Sequence, residues 1–153
     1  MTEALSRTRP PIAAILHALH SQPYWIHGLL CRWGIAAIFW RSARTKVHDW
    51  FTISDSTYFL FQDEYKVPLL PPDVAAVMAT TMEHTCAILL VLGLASRLAA
   101  SALLGMTLVI QVFVYPGSWP DHLLWASALV FVILRGPGAV SLDAPIRRRF
   151  LGE

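Results

Sequence analysis

Between Val74 and Leu134 the chain carries only three charged residues, Glu83, Arg97 and Asp121. No water-exposed surface of that length can be built from so little charge, because soluble domains carry about 25% charged residues. Across all 153 residues, 56% are hydrophobic and 14% charged. Mean hydropathy is +0.52. The pattern predicts an integral membrane protein. It excludes a disordered segment and a disulfide scaffold. A net charge of +2 is too small for a nucleic-acid partner, and none is expected.

A chain of this length is one domain, residues 1–153. At about 20 residues per crossing, it has room for four spans. The expected fold is all-α: a polytopic membrane four-helix bundle with spans near 24–40, 74–94, 98–115 and 121–134. Trp25 and Trp40 mark the ends of the first span, as interfacial aromatics do. Pro71 and Pro72 open the second, where a missing N–H costs nothing. Residues 93–97 (GLASR) turn the chain, and 116–120 (PGSWP) break it. Asp121 caps the last span and Gly136-Pro137-Gly138 stops it.

The connection over 41–73 is expected to hold more than a loop. In 57–65 (TYFLFQDEY), Tyr58, Phe61 and Tyr65 recur at helical spacing, with Asp63 and Glu64 on another side. This predicts a short amphipathic helix in the interface, packed over the mouth of the bundle. The stretch 12–19 reads as a second interfacial helix rather than a signal peptide. Arg7, Arg9, Arg97, Arg135 and Arg147-Arg148-Arg149 fall on the side of the termini. Lysine and arginine concentrate in cytoplasmic segments, so both termini are predicted cytoplasmic, with a basic tail over 135–153. The tail is read as a topology signal that contacts anionic lipid.

Ionisable groups inside a bilayer are costly, so they are paired and tend to be functional. Arg32 and Glu83 read as lying at similar depth on consecutive antiparallel spans. They are expected to pair, either as a staple between helices or as a proton relay. A second set gathers at the outer end. Gln111 and Tyr115 stand one turn apart, His122 and Trp125 open the fourth span, and Lys46 leaves the first. Cationic donors and aromatic walls at an interface suit a quinone headgroup or a small anion. Ordinary interfacial anchoring accounts for the same residues taken singly. Met78, Met82 and Cys86 share a helix face at i, i+4 spacing, which would suit a soft metal such as copper. Apolar packing is the competing reading of that face.

No metalloprotease, hydrolase, P-loop or dinucleotide motif is present, so no self-contained catalytic motif is found, and a role as an oxidoreductase subunit stays open. Cys31 and Cys86 lack CxxC spacing. Only His27 and His84 lie within spans, which disfavours haem.

Several segments in this order resemble the DoxX family of small four-helix membrane proteins. They are Arg32, FWRSARTK (39–46), EYKVPLLPP (64–72), Glu83, LLVLGLASRLAASALLGMTLVIQVFVYP (89–116) and WPDHLLWA (119–126). Ala43 stands where relatives usually carry glycine. The resemblance implies a bacterial-type cytoplasmic (inner) membrane protein with a redox link. The family takes its name from a subunit of a membrane thiosulfate:quinone oxidoreductase. Others of its members look like membrane partners in redox-defence or metal-handling systems. The matching residues are Arg32, Lys46, Glu83 and Arg97. The expectation is an accessory or subunit of a membrane redox or stress-response system, with quinone as the implied cofactor. Its partners would be the bilayer and another subunit, or a second copy. The alternatives are a carrier or copper-handling protein, and a structural anchor for a soluble partner.

Overall fold

A computed structural model describes Ile15 and residues 23–50, 52–68 and 70–152. The expected interfacial helix over 12–19 lies outside the described residues, Ile15 apart. Among the described residues the chain is all-helical, with one isolated bridge between Val47 and Ile53. Helix α1 is Tyr24–Thr45. Helix α2 is Asp55–Phe59 and runs on into a π-helical turn, Leu60–Tyr65. Helix α3 is Pro72–Leu92. Helix α4 is Ser96–Val109, also extended by a π-helical turn, Ile110–Val114. Helix α5 is Trp119–Arg135. Helix α6, Asp143–Leu151, forms within the basic tail.

The boundaries follow local chemistry. Pro72 occupies the first position of α3, with Asp73 in its first turn. At the other end Gly93 takes φ +67°. Its N–H donates to the Leu90 carbonyl, and that of Leu94 to Leu89, which satisfies carbonyls the helix leaves open. Ala95 also adopts a left-handed conformation, φ +47°, which costs a residue with a Cβ about 1 kcal/mol. The Asp143 carboxylate offsets this by accepting from the Ala95 and Ser96 amides at 2.8 and 2.9 Å. A group 47 residues away thereby caps α4.

Helix α1 packs on α3 and α5, and α4 packs on α3 and α5. The core between them is Ile35, Ala36 and Phe39 of α1, and Cys86, Ala87 and Leu90 of α3. It continues with Ala99, Ala100 and Leu103 of α4, and Leu129 and Val132 of α5. Alanines let the backbones approach closely, the rule where hydrophobic collapse does not drive association. The outward faces carry exposed Leu30, Val77, Ile88, Leu98, Leu108, Val112 and Leu124. Apolar residues buried within and also exposed without fit a lipid solvent.

Among the described residues three helices are long and apolar enough to cross a membrane: Pro72–Leu92, Ser96–Val114 and Pro116–Arg135. Helix α1 spans 22 residues but is not among the three; it carries Arg32, Arg41 and Arg44. The chain is therefore a membrane protein with three recognisable crossings, against four expected. The amphipathic helix anticipated over 57–65 is present, begins two residues earlier, and packs on α3.

Candidate functional site

Helix α1 ends at Thr45, and Lys46 just beyond it turns its side chain back along the helix. Its Nζ donates to Ser42 Oγ at 2.8 Å and approaches the Ser42 carbonyl at 3.3 Å. It reaches Glu83 Oε1 at 3.0 Å and Oε2 at 2.8 Å. Ser42 Oγ adds a bond to Glu83 Oε1 at 3.2 Å. Lys46 and Glu83 are only 7% and 3% exposed, so this is a buried, fully bonded ion pair. Truncating one partner of such a pair typically costs about 3–5 kcal/mol, because the other charge is left uncompensated.

The lysine is held from its backbone as well. Its carbonyl accepts from the Ser54 amide at 3.0 Å and from Thr57 Oγ1 at 2.9 Å. Ser54 and Thr57 hydroxyls bond each other at 2.8 Å. The Val47–Ile53 bridge closes the loop between them. The start of α2 is thus tied to the residue that carries the charge.

The expected Arg32–Glu83 pair does not form. Arg32 donates to the carbonyls of Leu90 and Val140. The reason is depth: Leu90 lies seven residues beyond Glu83, about 10 Å along the helix axis. Arg32 is a buried brace between the end of α3 and the segment that follows α5.

Beside the Lys46–Glu83 pair lies a cavity of about 530 Å³. Ile38 and Phe39 of α1, Met78, Ala79 and Met82 of α3, and Gly105, Met106 and Val109 of α4 line its apolar walls. Small residues make the space: a Cβ on Gly105 would meet nothing within 4 Å. Phe61 and Tyr65 of the π-helical turn also line the cavity, and close it as a roof. Tyr115, His122 and Trp125 complete the lining.

Four of the five residues expected at the mouth line this cavity: Lys46, Tyr115, His122 and Trp125. The fifth, Gln111, is not in the lining and bonds His122 instead. Its Nε2 donates to the Pro116 carbonyl at 2.8 Å, and its Oε1 stands 2.7 Å from His122 Nδ1. With Gln111 Oε1 as the acceptor, His122 Nδ1 is the donor of that bond. The His122 ring stacks edge-on against Trp125 at 5.0 Å, and Trp125 against Phe39 at 5.9 Å.

Sequence reasoning missed Ser42 and the Ser54–Thr57 clamp, and placed Tyr65 over the mouth without giving it a role in the site. Tyr115 Oη donates to Glu64 Oε1 at 2.9 Å and stands 3.5 Å from the Tyr65 hydroxyl. Burial above all, together with Tyr115 and nearby carboxylates, raises the Tyr65 pKa and keeps the phenol protonated. The i, i+4 spacing of Ser42 and Lys46 was the available signal for the first of these.

Met78 and Met82 line the cavity, whereas Cys86 packs into the core between the helices and is not part of its wall. Arg97 stands at the start of α4, remote from the cavity lining.

Chemically, the site offers an apolar chamber with one ion pair, one imidazole and two phenols on its boundary. Such an arrangement can hold an amphiphile and hydrogen-bond its head. The DoxX family model matches residues 27–116, which cover most of α1 and all of α2, α3 and α4 with their π-helical turns. Comparison with curated proteins found no match, and neither did comparison with solved structures.

Proposed function

The chain belongs to the DoxX family, and from that premise we propose that it binds an isoprenoid-quinone-type amphiphile for a membrane redox system. In this reading α1 crosses the membrane with the other three helices, as one four-helix domain of the cytoplasmic membrane. Both termini lie on the cytoplasmic side. The protein acts as an accessory or subunit, and the electron-transfer chemistry belongs to its partner.

The observation that carries the reading is the placement of the Lys46–Glu83 pair in the wall of an otherwise apolar chamber. A quinone ring carries two carbonyl acceptors. The Tyr65 hydroxyl, whose proton no bond among the described residues takes, is a donor to one of them, and the Lys46 ammonium reaches the other by exchanging its bond to Ser42. The methionine- and valine-lined remainder suits an isoprenoid chain. Paired carboxylate and ammonium, with Ser42 between, can also hold a proton close to a reduced ring. Ligand sites of this size are mostly apolar with few polar groups, as here.

The test is purification of the full chain in mild detergent from native membranes, with mass spectrometry of extracted lipid. Retained quinone near one per chain is expected, and it should be lost in Gly105→Leu, which fills the chamber. Protein that is quinone-free and takes up no decylubiquinone or short-chain menaquinone on titration overturns the proposal. A redox subunit recovered in stoichiometric amount would support the accessory role.

A further inference from the structure

A second site lies at the opposite end of α4, away from the chamber. Arg97 stands in the first turn of α4 and Arg147 in the middle of α6. Beside Gly136, where φ is +81°, both guanidinium groups converge. Arg97 Nη2 lies 3.4 Å and Arg147 Nη1 3.8 Å from the point where a Cβ on Gly136 would sit. A pocket of about 310 Å³ lies between them, lined also by Ala95, Ser96, Leu98, Pro137, Ile146 and the carboxylate-bearing Asp143.

Three observations point to an anion in this pocket. Among the described residues no ion pair reaches Arg97 or Arg147. Asp143, the acid at hand, gives its two oxygens to the Ala95 and Ser96 amides. Two cations and one carboxylate therefore line the pocket, and neither guanidinium is neutralised by an ion pair among the described residues. Ser96 is fully buried, and its hydroxyl has no hydrogen-bond partner.

The surroundings identify the carrier of that anion. Leu98 and Leu134, the latter the penultimate residue of α5, are 73% and 70% exposed. Phe150 on α6 is 77% exposed. Guanidinium pairs recognise phosphate in bidentate fashion, and a basic pocket at a membrane surface takes lipid headgroups. We propose that Arg97 and Arg147 form a site for the phosphate of one anionic phospholipid, whose acyl chains lie along Leu98 and Leu134. The site makes α6 the headgroup-level closure of the α4–α5 end. It is independent of the quinone reading.

Native mass spectrometry of the full chain in neutral detergent, titrated with phosphatidylglycerol, tests the proposal. Wild type should retain one phosphatidylglycerol and prefer it at least tenfold over phosphatidylcholine of the same chains. Arg97→Gln/Arg147→Gln should lose at least tenfold in retention, whereas Arg148→Gln/Arg149→Gln, of equal net charge, should keep it. Arg97→Lys, which preserves charge and disturbs the fold least, should fall between wild type and the double variant. Equal loss in both double variants would show diffuse charge attraction and overturn the site. Inorganic phosphate displacing the lipid at equal concentration would overturn the lipid assignment in favour of a free anion.

Discussion

Lys46 and Glu83 meet at 2.8 Å although one begins beyond the end of α1 and the other stands near the middle of α3. The contact requires the full length of the lysine side chain, folded back over Ser42. It also explains why a cation at the rim of the first helix faces a carboxylate at depth. Snorkelling usually carries a lysine outward to water; here the carboxylate and hydroxyl draw it inward.

This pair should behave as a unit. Lys46→Met and Glu83→Gln should each lower thermal stability in detergent. Each costs about 3–5 kcal/mol, because each strands the charge of the other partner. The double variant should recover much of that loss. A double variant no more stable than the sum of the two singles predicts would show that the groups do not depend on one another.

Arg32 should be energetically separate from Glu83. Arg32→Gln removes bonds to the Leu90 and Val140 carbonyls, so it should loosen the segment after α5. Limited proteolysis should cut between 136 and 142 faster than in wild type. A cycle of Arg32→Gln with Glu83→Gln should be additive within about 0.5 kcal/mol. A coupling energy well above that would restore the direct pairing expected from sequence.

The turn between α3 and α4 carries two left-handed residues with opposite expectations. Gly93→Ala should destabilise by more than about 1 kcal/mol, since the new Cβ would collide with the Arg32 guanidinium and with Ser141. Ala95→Gly should be neutral or raise the melting temperature, because it relieves φ +47°. Melting curves of the two variants with opposite signs to these would contradict the turn geometry.

Gly105 separates chamber volume from stability. Gly105→Ala should stabilise α4 by up to about 1 kcal/mol through helix propensity, with nothing in contact with the added atom. Gly105→Leu should fold as well and occupy the chamber. Any amphiphile bound there should be displaced at least tenfold, read by titration with a short-chain quinone. Unchanged binding in a folded Gly105→Leu protein would place the ligand elsewhere.

How far the sequence is legible depends on the range of the interaction. Long apolar runs with terminal proline, glycine and tryptophan disclose α3, α4 and α5, because lipid demands uninterrupted helices. The alternation of Tyr58, Phe61 and Tyr65 discloses the roof for the same local reason. Gln111, Tyr115, His122 and Trp125 are legible as a group, since i, i+4 spacing and one short turn bring them together. The partners of Arg32 and Glu83 are not. Both pairings turn on how far α1 slides along α3, and one residue of slide moves a contact by about 1.5 Å. Val140 bonding Arg32, and Asp143 capping α4, join residues 108 and 47–48 positions apart. No local pattern encodes such returns of the chain.

The Ser54 and Thr57 bonds to the Lys46 carbonyl tie the α2 segment to the residue whose ammonium neutralises Glu83. On the quinone-binding reading proposed above, any shift of that segment to admit a ligand would pull on the backbone of Lys46, and so on the salt link inside. Admission of a ligand and rearrangement of charge would then be two readings of a single displacement, with Ser54 and Thr57 as its mechanical linkage.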